Sequence, residues 1–122
     1  MEAIRVEETA VAGPTQEQLG LLINLYEGAI NFLTAAVDAN MQEDMEAFRA
    51  NLQKGRRIIQ EFQRTLDFRH GGEVPNRLNS LYQYMLDSLN EADLSGSVAP
   101  VDHVIHHLRV LLEGWQGVDL SS

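Results

Sequence analysis

Apolar residues recur along this chain with helical rather than strand spacing, and between Leu19 and Met41 they are denser than one buried helix face needs. At about 100° per residue, Leu19, Leu22, Ile23, Tyr26, Ile30, Leu33, Val37 and Met41 share one stripe. Leu21, Leu25 and Phe32, with Ala36, form a second set beside it. Together the two sets span roughly 200°, about twice what a core-facing helix requires. Either this helix is enclosed on several sides, or part of its surface waits for a partner.

The next pattern is the most regular. Met45, Phe48, Leu52, Gly55, Ile59, Phe62 and Leu66 alternate by three and four residues, a heptad seam suited to antiparallel packing at about 20°. Gly55 on that seam marks a close approach between helices. The second helix is expected to end at His70-Gly71-Gly72, where a glycine can turn left-handed. Pro75 stands where the first turn of a third helix tolerates proline. That helix carries Leu78, Leu81, Tyr82, Met85, Leu89 and Ala92, with Leu86 widening its stripe. Turn-forming residues in DLSGSVAP precede a fourth, faced by Val101, Val104, Ile105, Leu108, Leu111, Leu112 and Trp115. The expected fold is all-α, an antiparallel up-down four-helix bundle over residues 15–118, with helices at about 15–41, 43–69, 74–92 and 100–116. Thr15 would cap the first helix, with Gln18 completing a capping box. Residues 1–14 are expected to be a mobile N-terminal segment and 119–122 a tail.

Composition narrows the function. A chain of 122 residues is the size of one domain, which should bury roughly two-thirds of its unfolded surface. It has no cysteine, so neither disulfides nor thiolate metal sites are available. Eighteen acidic against nine basic residues give a net charge of −9, and Lys54 is the only lysine. That balance opposes binding to a phosphate backbone. No apolar run approaches the ~20 residues of a membrane span. The acid-rich start MEAIRVEETAVAGP lacks the form of a secretory signal, so a cytoplasmic location without membrane insertion is expected.

Helical bundles can hold di-metal sites through inward Glu-x-x-His pairs. None of His70, His103, His106 and His107 has a glutamate three positions earlier, and Asp67-x-x-His70 falls at a helix end. His103 and His107, four residues apart, could share one metal ion, but they lie opposite the Val104/Leu108/Leu111/Trp115 stripe and read as a solvated face. No G-x-S-x-G elbow, phosphate loop or dinucleotide turn occurs. Glu43, Asp44 and Glu46 gather at the start of the second helix, where they oppose its dipole. No catalytic residue, metal or cofactor is expected.

The surplus apolar positions are Leu21, Leu25 and Phe32 on the first helix, Ile58 on the second, and Tyr82, Leu86 and Leu89 on the third. Leu89 can serve either seam or groove. A broad core, or cover by Ile4, Val6 and Val11 of the leader, would account for any one of them. Taken together they suggest a groove receiving an amphipathic helix from a partner.

Specific motifs sharpen this. LYEGAINFL (Leu25 to Leu33), the D-x-E step at Asp44–Glu46, RRIIQEF (Arg56 to Phe62) leading to TLDF (Thr65 to Phe68), GGEV (Gly71 to Val74) with NRLNSLYQYML (Asn76 to Leu86), and LLEGW (Leu111 to Trp115) resemble the FliS family of flagellin export chaperones. The resemblance runs from about Val11 to Trp115 in the family's order. It implies an antiparallel four-helix bundle that binds the C-terminal segment of flagellin in the cytoplasm, prevents premature polymerisation and supports delivery to the flagellar type III secretion apparatus. Implied partners are flagellin, the export-gate membrane protein and, in some bacteria, an anti-sigma factor. Two departures stand out. VAGPTQEQL (Val11 to Leu19) replaces the family's T-A-S-P-E-E-L approach, and MEAIRVEETA replaces a tyrosine-bearing leader. The alternative is a small helical-bundle regulator that binds an anti-sigma factor or another chaperone.

Overall fold

The computed structural model describes residues 16–66 and 72–118. Thr15, the leader with Ile4, Val6 and Val11, His70, Gly71 and the 119–122 tail lie outside the described residues. Four helices follow one another: α1 (Gln16–Met41), α2 (Met45–Arg64), α3 (Val74–Ser95) and α4 (Ala99–Gln116). There is no strand among the described residues. Each helix packs on its neighbour in sequence, and α4 closes the ring against α1. Short connections at 42–44 and 96–98 force these helices to run antiparallel. One end of the bundle therefore gathers the α1–α2 turn and the α3–α4 loop. The Asn40 side-chain amide ties them together, donating to the Gly96 carbonyl at 2.8 Å.

Local chemistry sets the helix ends. Asp44 caps α2 by accepting from the Ala47 amide at 3.1 Å, and Glu46 stands in the first turn of that helix. Pro75 occupies the first turn of α3, and Gly96 ends that helix in the left-handed conformation (φ 73°). α2 stops at Arg64, earlier than the expected 69. The Thr65 hydroxyl donates to the carbonyls of Glu61 and Phe62, and the Thr65 amide bonds Glu61. A local side-chain bond thus takes the place of the glycine stop. Gly72 (φ 61°) belongs instead to the turn entering α3.

The α2 seam packs largely as its spacing predicts: Phe48, Leu52, Gly55, Ile59, Phe62 and Leu66 are buried, while Met45 at its start is half-buried against the core. At Gly55 the helices come close enough that an added Cβ would stand 2.6 Å from Leu33 Cδ2. Across the centre lies an aromatic layer. The Tyr26 and Phe62 rings stack at 4.5 Å, Tyr82 lies 5.6 Å beyond Phe62, and the Tyr26 and Tyr82 hydroxyls meet at 2.5 Å. Burial pushes the Tyr82 phenol well above its usual range, reinforced by Tyr26. Burial also raises Tyr26, against an opposing pull from the Tyr82 hydroxyl and the Trp115 indole. That indole N–H is buried without a well-formed hydrogen bond.

By length and composition α1 could cross a bilayer, although its apolar residues form no unbroken run. Its apolar stripe is nonetheless the bundle's own core: Leu22, Tyr26, Ala29, Leu33 and Ala36 are buried against the other helices. Three α1 assignments change. Ala36 joins the core rather than the second set, Ile23 on the expected core stripe is half-buried and outside the core cluster, and Met41, placed on that stripe by periodicity, is 75% exposed because α1 ends there.

Candidate functional site

The surplus apolar positions separate into two groups. Tyr82, Leu86 and Leu89 are only 0, 7 and 1% exposed. They are corrected to core positions: Tyr82 is held by its bond to Tyr26, and Leu86 and Leu89 belong to the same contiguous interior. Their stripe is wide because an α3 with neighbours on both sides has a wide buried face.

Leu21, Leu25, Phe32 and Ile58 behave differently. Leu25 is 38% exposed and the other three are half-buried. On α1, Leu21, Leu25, Gly28 and Phe32 follow at intervals of four, three and four, so they form a stripe turned roughly 110° from the core-facing residues. Leu21, Leu25 and Phe32 lie outside the core cluster, and Ile58 packs against its margin while remaining half-buried. Ile58 reaches across from α2 toward the gap in this stripe: a Cβ added at Gly28 would lie 3.7 Å from Ile58 Cδ1. One turn of α2 away, the Lys54 ammonium lies over the Phe32 ring, 5.6 Å from its centroid. The structure therefore brings four predicted residues onto one edge of the bundle, between α1 and α2.

Gly28 and Lys54 complete this edge, and the sequence reading overlooked both. Gly28 carried a signal, since a glycine inside a strong helix marks a close approach when it falls on an apolar stripe. Lys54 carried another, at four residues before Ile58 on the same helix face.

The edge offers apolar side chains and one cation, and no nucleophile paired with a base. It can bind an apolar helix face but has no equipment for bond cleavage. The opposite edge, between α3 and α4, is more polar. There the exposed Tyr84 ring meets His107 edge-on at 5.5 Å, above a shallow depression lined by Ser88, Glu91, Pro100 and His103. Among the described residues no group of three or more histidine, aspartate or glutamate side chains could hold a metal ion.

Comparison with known proteins places this geometry in context. The family model described as "Flagellar protein FliS" matches residues 3–122. The flagellar secretion chaperone FliS of Campylobacter jejuni is 34% identical over 98 residues, which cover 80% of this chain and 77% of that protein. Flagellar secretion chaperone FliSB of Pseudomonas aeruginosa is 31% identical, over 77% of this chain and 75% of its own length. The Salmonella typhimurium FliS is 30% identical over 91% of this chain and 82% of that protein.

Proposed function

Because the chain belongs to the FliS family, a family of flagellar export chaperones and not of enzymes, we propose that it holds flagellin by its C-terminal segment along the α1/α2 edge. The observation that carries this reading is the strip of Leu21, Leu25, Phe32 and Ile58, which stays open while the other surplus residues join the core. Flagellin's C-terminal segment folds into an amphipathic helix and lays its apolar side on this strip, where Ile58 bridges the gap at Gly28. Ordering a disordered client costs about 2–5 kcal/mol or more. Burial on the order of 1,000 Å² of mainly apolar surface is enough to offset that cost. While the segment is covered it cannot polymerise, so the complex waits in the cytoplasm. It is then delivered to the export gate of the flagellar secretion apparatus.

The test is calorimetric titration of the full chain with the cognate flagellin C-terminal peptide, at several temperatures. Saturable binding with negative ΔCp is expected. Leu25→Asp should weaken it at least about tenfold, since it puts a charge where the client's apolar side must sit. Its helix content should not change, because Leu25 lies outside the core. Absence of binding by the wild-type chain at tens of micromolar would refute the reading.

A further inference from the structure

The basic side chains are unevenly placed. α1 has no lysine, arginine or histidine in its 26 residues. α2 has Arg49, Lys54, Arg56, Arg57 and Arg64, five of the nine basic residues in a chain of net charge −9. Three of these five are already engaged. Arg49 pairs with Asp93 on α3 at 3.4 Å, Arg56 donates to Gln53, and Arg64 is held by Glu61. Lys54 and Arg57 are exposed and have no carboxylate partner among the described residues.

Lys54 is also the cation at the α1/α2 edge. It shares a side of α2 with Ile58, one turn away, and its ammonium lies over Phe32. Beyond the apolar strip, the exposed side of α1 presents Asn24, Glu27 and Asn31. The α2 wall also carries Glu61, but Arg64 neutralises its carboxylate, so Lys54 and Arg57 are left as the unpaired charges there, while the α1 wall is neutral to acidic.

A helix docked on Phe32 would strip water from the adjoining ammonium, which is unfavourable unless the guest supplies a counter-charge. Excluding water also lowers the local dielectric, so a carboxylate placed there gains more than it would on an open surface. From this asymmetry we infer that the α1/α2 groove selects an amphipathic helix with carboxylates along one side of its apolar stripe, and that Lys54 is the specificity-determining cation. Arg57 extends the same attraction outward along the rim. The asymmetry also orients the guest, with its acidic flank over α2 and its other flank over α1. This deepens the proposed function and rests on it.

The experiment titrates two peptides into three full-length proteins. The peptides are the flagellin C-terminal segment and the same segment with every Asp and Glu changed to Asn and Gln. The proteins are wild type, Lys54→Glu and Lys54→Arg. For the native peptide at low salt, Lys54→Glu should bind about tenfold more weakly and Lys54→Arg within about twofold of wild type. The gap should close as salt approaches about 0.5 M. The neutralised peptide should not distinguish the three proteins. Equal affinity of wild type and Lys54→Glu for the native peptide would overturn the inference while leaving flagellin binding intact. So would the same loss with the neutralised peptide, which would assign Lys54 a packing role. If the native peptide fails to bind wild type, the flagellin reading falls and takes this inference with it.

Discussion

Adding one methyl group at Gly55 sets helix propensity against packing, and the distances decide between them. In an exposed helix interior, Gly→Ala is favourable by about 1 kcal/mol. At Gly55 the new Cβ would stand 2.6 Å from Leu33 Cδ2 and 2.9 Å from Leu33 Cγ, against an optimum of about 3.5–4 Å for carbon pairs. Rotation about the Leu33 Cβ–Cγ bond relieves the first contact but not the second, because Cγ moves only with the backbone or with χ1. Leu33 is fully buried, so α1 and α2 must separate locally. Overpacking of this kind costs about 1–3 kcal/mol, and the Cγ contact places Gly55→Ala in the upper half of that range. The net expectation is a loss of about 1–2 kcal/mol. Gly20→Ala is the control: that site is exposed on α1, with nothing within 4 Å of the new Cβ. It should gain about 0.5–1 kcal/mol. Urea denaturation followed by far-ultraviolet circular dichroism reads both. Combining Gly55→Ala with Leu33→Ala should be less destabilising than the sum of the two, by about 1 kcal/mol or more. A Gly55→Ala protein as stable as wild type, with additive behaviour in the double variant, would refute the close approach.

Two further outcomes follow from the fold. Asp44→Ala removes the α2 cap and should lower stability by about 1 kcal/mol in the same urea assay. Burial raises the phenol pKa of both Tyr26 and Tyr82, so the unfolded chain releases these protons near pH ~10 while the folded chain keeps them. Stability from this pair is complete below that pH and falls as pH rises beyond it; Tyr82→Phe should reduce that alkaline slope and cost about 1 kcal/mol at neutral pH through the lost hydroxyl contact.

Much of the bundle was legible in the sequence because spacing of three and four residues reports directly on a helix seam. The α2 seam is the clearest case, and even its glycine reads correctly as a close approach. Periodicity gives the angular width of an apolar stripe, but not which of a helix's two neighbours covers its flank. Leu25 and Leu86 therefore looked alike as flanking residues, although Leu86 joins the interior and Leu25 stays outside it. Tyr82 misled for another reason. It counts among the surplus apolar positions, yet its hydroxyl is satisfied inside the bundle by Tyr26, 56 residues away. Nothing local announces that pairing. The end of α2 was misplaced because the glycine signal at 71–72 is strong, whereas the Thr65 side-chain bonds that end the helix leave only a faint compositional trace. Lys54 was noted as the only lysine, but its meaning required knowing that Phe32 lies beneath it.

The central claim is that the client lies along the α1/α2 edge, and methyl-resolved NMR of the full chain during titration with the flagellin C-terminal peptide tests it most directly. Saturating shifts should concentrate at the methyls of Leu21, Leu25 and Ile58, with peptide-to-protein Overhauser contacts to the Phe32 ring. Shifts centred instead on the exposed Val110 methyls of α4 and the Tyr84 ring, with Leu21, Leu25 and Ile58 unmoved, would contradict the account.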